Sequence, residues 1–200
     1  MSITKEECAV EIITLTDSER AAILPHSQQA MIGGRSDIFD DRMQRQAKLA
    51  ENQMIGLGCE AAFFKWAEPF GSGGFDAWLE QRRLRNQNKR EGDGGWDCVL
   101  RNGIKVDIKG SECRRELTKQ SALSYHLTQA RSSTLLDVVY VQCHTQRHMD
   151  SYQIPSIVML AGWLLGSELS GREDMPQMKG WSAKCSTIHR MNDLERMFIQ

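Results

Sequence analysis

Asp97, Asp107 and Lys109 fall within one short stretch, WDCVLRNGIKVDIKGS, residues 96–111. Two carboxylates and an ammonium are the groups needed to hold a hard cation and to work on a phosphate. Paired carboxylate oxygens suit Mg²⁺, which keeps several waters and reaches substrate phosphate through its remaining positions. Whether these side chains meet depends on the local fold. Residues 96–109 alternate at strand period around Arg101-Asn102-Gly103, the signature of a hairpin.

The length of the turn decides which side chains share a face, because a slip of one residue carries a whole strand's set across the sheet. A two-residue Asn102-Gly103 turn pairs Cys98 with Asp107 and Leu100 with Lys105, mixing apolar and charged groups on both faces. A three-residue loop pairs Leu100 with Ile104 and Asp97 with Asp107, with Gly103 in the left-handed position such a loop wants. One face then carries Cys98, Leu100, Ile104, Val106 and Ile108, and the other Asp97, Asp107, Lys105 and Lys109. The clean sorting selects this register. Opposed residues have Cβ atoms roughly 4.5–5.5 Å apart, and like charges so placed repel unless a cation lies between them. Lys109 projects from the same face about 7 Å along the strand. The bland alternative is a solvated face whose charges point into water.

At these residues the chain resembles the PD-(D/E)XK nuclease superfamily, the restriction-endonuclease-like fold. The matching motif is Asp97 followed by Asp107-Ile108-Lys109. Glu60 in GLGCEAAFFKW stands where the family carries a glutamate on the preceding helix. A strand, helix and second strand after D-x-K also match, and IVMLAGWLLGSEL is similar to the ending of phage-type members. The likeness covers roughly residues 40–170. It departs from the family at Trp96, where the family has proline. Asp93, in a glycine-rich loop, is a rival for Asp97.

The resemblance implies an α/β fold with a central mixed sheet flanked by helices on both sides. It further implies Mg²⁺-dependent hydrolysis of DNA phosphodiester bonds, with Mn²⁺ able to substitute, endonucleolytic, and in a phage or mobile-element setting. Asp97 and Asp107 would bind the metal with the Ile108 carbonyl, Glu60 would complete the site from its helix, and Lys109 would orient water and stabilise charge on the phosphate. A homodimer is implied by one site cutting one strand. The alternative is a catalytically inactive module of the same fold that binds nucleic acid or a protein partner.

Glu60 has Leu57, Phe63 and Phe64 at i−3, i+3 and i+4. Such surroundings are costly for a carboxylate unless it meets a cation, whether a metal or a lysine partner. Ser111, Arg114, Arg115 and Lys119 directly follow the motif and are the candidate contacts to a DNA backbone, where basic side chains neutralise phosphates. The basic run from Arg82 to Arg90 reads either as a second such contact or as a solvated linker. Cys143, His144 and His148 lack a fourth ligand at a zinc spacing. G-x-S-x-G is absent, and the GSGG at 71–74 lacks the lysine of a phosphate-binding loop.

The elements around the motif are read from periodicity. Residues 1–35 form an N-terminal extension, with an apolar stretch Val10–Leu15 and a helix after Asp17 that Pro25 interrupts. The resemblance assigns the remaining chain, 36–200, to a nuclease-like domain. A helix capped by Ser36 or Asp37 runs to about Trp66, with Met43, Ala47, Ala50, Met54, Leu57, Ala61 and Phe64 along one face. Glu116–Arg131 reads as helix, Asp137–Cys143 and Tyr152–Leu160 as strands, and Gly162–Leu169 as a turn leading to a helix.

The 200 residues carry 25 basic and 26 acidic side chains, a formal charge of −1. That balance excludes a polybasic nucleic-acid coat or an acidic tail, but not a local basic groove. Hydrophobic content of 40 % is that of a folded chain rather than a disordered one. No signal-peptide pattern and no apolar run of membrane-spanning length is present, so a cytoplasmic protein with no membrane partner and six reduced cysteines is expected.

Overall fold

The computed structural model describes residues 10–33, 42–87, 96–100, 102–113, 116–130, 134–146, 153–170, 172–175 and 180–199. In chain order these form β1 (Glu11–Thr14), α1 (Asp17–Gly33), α2 (Arg42–Trp66), α3 (Gly74–Gln87), β2 (Cys98–Val99), β3 (Lys105–Cys113), α4 (Lys119–Ser124) and β4 (His126–Ala130). They continue with β5 (Val138–Gln146), β6 (Ile157–Leu165), α5 (Gly166–Leu169), β7 (Glu173–Met175), β8 (Gly180–Lys184) and α6 (Met191–Ile199).

The chain is mixed α/β. A five-stranded sheet has the order β1-β6-β5-β3-β2, with β3 and β5 parallel and the other neighbours antiparallel. β5 reads VVYVQCHTQ and is buried along nearly its whole length, as expected of a central strand covered on both faces. Val139, Val141 and Cys143 turn to one side, where α2 lies across β3, β5 and β6 and contributes Leu57, Cys59, Ala61, Phe63 and Phe64 to the main core. α1 and α3 pack on α2. Val138 and Tyr140 turn to the other side, into a second core with Leu127, Leu164, Leu169 and Ala183.

That second side carries the largest difference from the sequence expectation. Among the described residues of the segment 116–131, only Lys119–Ser124 is helical, started by a capping box between Thr118 and Ser121. His126–Ala130 is a strand instead, pairing with β8 in a three-stranded sheet of order β4-β8-β7. Leu127 faces Ala183 across that pair and both are buried. The partner residues lie 50 to 58 positions on, out of reach of any local periodicity.

The described part of the segment read as an extension is built into the domain. β1 pairs with β6, and Leu15 and Ile23 enter the main core. α1 continues through Pro25 rather than breaking there. Residues 82–87 of the basic run belong to α3. β6 runs on to Leu165, past the turn expected at Gly162. Gly162 sits at a bulge against β5 with φ +147°, and a β-carbon there would meet the His189 carbonyl at 2.4 Å. Ser36 and Asp37, the expected caps of α2, lie outside the described residues. Among the described residues no helix is long and apolar enough to cross a membrane.

Candidate active site

The hairpin takes the three-residue loop. Cys98 is opposite Val106 and Val99 opposite Lys105, Leu100 N–H donates to Ile104 O at 2.9 Å, and Gly103 has φ +82°. Cys98, Leu100, Val106 and Ile108 are buried in the main core, with Ile104 packed against it. Asp107 and Lys109 turn to the other face, so the sorting expected from alternation is the one observed.

Asp97 stands at the mouth of this hairpin. Its amide donates to Val106 O at 2.8 Å, and its Oδ2 accepts from the Ile108 amide at 2.7 Å. A carboxylate holding a strand's backbone N–H lies at the edge of that strand. In an extended strand a residue's N–H and C=O point to the same edge, so the Ile108 carbonyl faces it too. β2 pairs only with Lys105 and Val106, and beyond them that edge of β3 has no strand partner among the described residues.

Asp107 is only 8 % exposed. Burial pushes its carboxyl up to about 6; Lys109 opposes the shift, while Asp97, which shares a hydrogen bond with it, adds to it. Lys109 Nζ lies 2.8 Å from Asp107 Oδ2 and 5.7 Å from the centre of the Tyr140 ring. The two carboxylates and the ammonium therefore meet at one place. Next to them Lys105 pairs with Asp137 at 2.7 Å and lies 4.6 Å from the centre of the Trp96 ring.

Glu60 is brought to a different partner. It is 8 % exposed, and its Oε2 takes the Arg82 guanidinium together with the Trp78 indole N–H at 3.3 Å. The cation that its apolar surroundings called for is thus supplied by α3. A carboxylate neutralised by a guanidinium offers little net charge to a metal ion. Arg82, read as a DNA contact or part of a linker, is engaged by Glu60. Its neighbour Gln81 donates to the Asp97 carbonyl at 3.4 Å, so one turn of α3 touches both Glu60 and Asp97.

Ser111 follows Lys109 on the same face, but its hydroxyl is engaged inward. Oγ accepts from Gln142 Nε2 at 3.1 Å and lies 2.7 Å from His144 Nδ1. Burial pushes His144 down to about 4, so its ring is neutral at ordinary pH and a weak base. With both partners in place, Ser111 is not a free donor to phosphate. Lys119 is exposed at the start of α4. Arg114, Arg115, Asp93 and His148 lie outside the described residues.

Two donors of the Mg²⁺ type, Asp97 and Asp107, are adjacent here, with a backbone carbonyl on the same edge. Among the described residues no group of three or more His, Cys, Asp or Glu side chains is placed to hold a metal ion. Two hard oxygens fit an ion that keeps most of its shell as water and phosphate. Gln142 and the pairing of Arg82 with Glu60 are not read from the sequence. A glutamine inside the apolar run DVVYVQC was the available signal for the first; nothing local marks the second. Comparisons with protein-family models, with curated proteins and with solved structures returned no match.

Proposed function

We propose that this chain is a Mg²⁺-dependent DNA nuclease of the PD-(D/E)XK, restriction-endonuclease-like type. The observation that carries the reading is the convergence of Asp97, Asp107 and Lys109 on one strand pair, with Lys109 Nζ 2.8 Å from Asp107. Asp97, Asp107 and the Ile108 carbonyl would hold the ion; Mn²⁺ would bind the same oxygens. A bound Mg²⁺ would supply charge to draw on the phosphoryl oxygens as the phosphorus is attacked.

The remaining work falls to the chain. Lys109 places a positive charge beside the attacked phosphate and orients the incoming water, whose oxygen bonds to phosphorus as the bond to the leaving oxygen breaks. Asp107, next to Lys109, keeps that ammonium in place. Glu60 acts through Arg82, fastening α3 and with it the Gln81 contact to Asp97. Lys119 and the basic residues just before it are the phosphate contacts of this reading.

The test incubates the protein with supercoiled, linear, single-stranded and branched DNA in Mg²⁺, Mn²⁺ or EDTA, beside Asp107→Ala and Lys109→Ala. Metal-dependent cutting that both substitutions abolish is the expected result. The second reading is a non-catalytic module of the same fold, favoured by the Glu60–Arg82 pair. It predicts no cutting of any substrate and no calorimetric signal for Mg²⁺ or Mn²⁺ at these carboxylates.

A further inference from the structure

Beneath the Asp107–Lys109 pair lies a buried polar chain that the proposed chemistry does not use. Gln142 is the register partner of Lys109 across the parallel β3–β5 ladder and is only 2 % exposed. Its amide nitrogen shares its two hydrogens among Lys109 O at 3.0 Å, Ser111 Oγ at 3.1 Å and Cys143 O at 2.8 Å. Ser111 Oγ lies 2.7 Å from His144 Nδ1 and 3.5 Å from Cys143 O, and in the Nε2–H tautomer of the ring it donates to Nδ1. The neutral ring then carries its hydrogen on Nε2, which lies 3.7 Å from Cys185 Sγ beyond β8. The far side of β5 at this point is irregular: the β5–β6 register shifts between Gln142 and Cys143, opposite Gly162.

We propose that Gln142 is a positioning residue for Lys109. This rests on the reading of Lys109 as the cation of the site. A lysine head is carried on a four-carbon stem with many rotamers, so its place depends on how firmly its backbone is held. Gln142 grips β3 at the Lys109 carbonyl and again at Ser111, two residues on, and thereby sets the height from which the stem reaches Asp107. A buried amide in an otherwise apolar strand is costly unless its hydrogen bonds are made. Here the amide nitrogen is spent on the backbone of Lys109, the side chain of Ser111 and its own neighbour Cys143. Ser111 and His144 serve the same hold, tying β3 to the turn after β8.

The experiment compares the full-length wild type with Gln142→Met, which keeps the volume, and Gln142→Asn, which keeps an amide but withdraws it by one methylene. Two readouts are taken: the ¹³Cε–¹Hε resonance of Lys109, assigned with Lys109→Ala, and the kinetics of Mg²⁺-dependent DNA cleavage. In the wild type the Tyr140 ring, 5.7 Å from Nζ, should displace the Lys109 resonance. Both Gln142 variants should return it toward the position of an ordinary lysine and lower kcat by roughly 10- to 100-fold, with KM within about twofold. If one variant does not fold, the other carries the comparison. A Lys109 resonance unmoved in a folded variant overturns the assignment, as does a loss of melting temperature with that resonance unchanged, which would make Gln142 a packing residue alone. If the wild type cuts no DNA, the nuclease reading fails, while the Lys109 resonance still decides the role of Gln142.

Discussion

Replacing Arg82 with methionine removes the guanidinium that Glu60 holds and leaves the carboxylate with the Trp78 indole at 3.3 Å. The side chains of the pair are 20 % and 11 % exposed, so little water can take the arginine's place. Breaking a buried pair by deleting one partner costs about 3–5 kcal/mol, and the partial exposure of Arg82 puts the cost near the lower figure. For a chain of this size that corresponds to a drop in melting temperature of roughly 6–12 °C. Removing both charges, as Glu60→Leu with Arg82→Met, should recover most of the loss, because the uncompensated charge is then gone. Urea denaturation of the two single variants and the double variant yields the coupling directly. An Arg82→Met cost below about 1 kcal/mol, the range of an exposed pair, would refute the argument. The same variants bear on the site. With Glu60 fastened to α3 rather than to an ion, Glu60→Gln should leave Mg²⁺ affinity nearly unchanged while Asp107→Asn lowers it. Equal losses of affinity in the two would return Glu60 to the ligand set.

Asp107 makes stability depend on pH in a defined direction. Its folded value of about 6 lies above the unfolded value near 3.8, so its contribution is full below about pH 4 and lost as pH rises through about 6. Asp107→Asn should flatten that decline, by about 3 kcal/mol at the upper end, in denaturation curves taken across the range. Divalent cation should oppose the same loss: a Kd of about 1 mM gives about 1.4 kcal/mol at about 10 mM Mg²⁺. The shift in melting temperature should grow above pH 6 and vanish in Asp107→Ala; a shift of equal size in that variant would place the ion elsewhere. Gly162→Ala should cost about 1–3 kcal/mol, since it puts a β-carbon 2.4 Å from the His189 carbonyl at φ +147°. An unchanged urea midpoint would show that the His189 segment does not press on β6 there.

The hairpin and the sorting of its side chains were legible in the order of residues, because strand alternation and turn geometry are local. Once Gly103 sets the loop at three residues, the apolar set of Cys98, Leu100, Val106 and Ile108 can turn only one way, and the carboxylates turn the other. The face of α2 carrying Met54, Leu57, Ala61 and Phe64 was legible for the same reason: helical spacing brings those positions together wherever the helix is later placed. What Glu60 would meet was not. Its apolar neighbours announced the need for a cation, but Arg82 arrives from a separate helix, and only the packing of α3 on α2 brings it there. The second sheet was hidden in the same way, since β4 has its partner in β8, and a local reading took its residues for the end of a helix. Ser111, free by its sequence position, is bound once β3 lies beside β5 and Gln142 and His144 face it. Patterns of sequence settle which side chains share a face, because that is covalent geometry. Which groups then satisfy one another is decided by burial, which charges a cost for every unpaired polar atom and is known only when distant elements have packed.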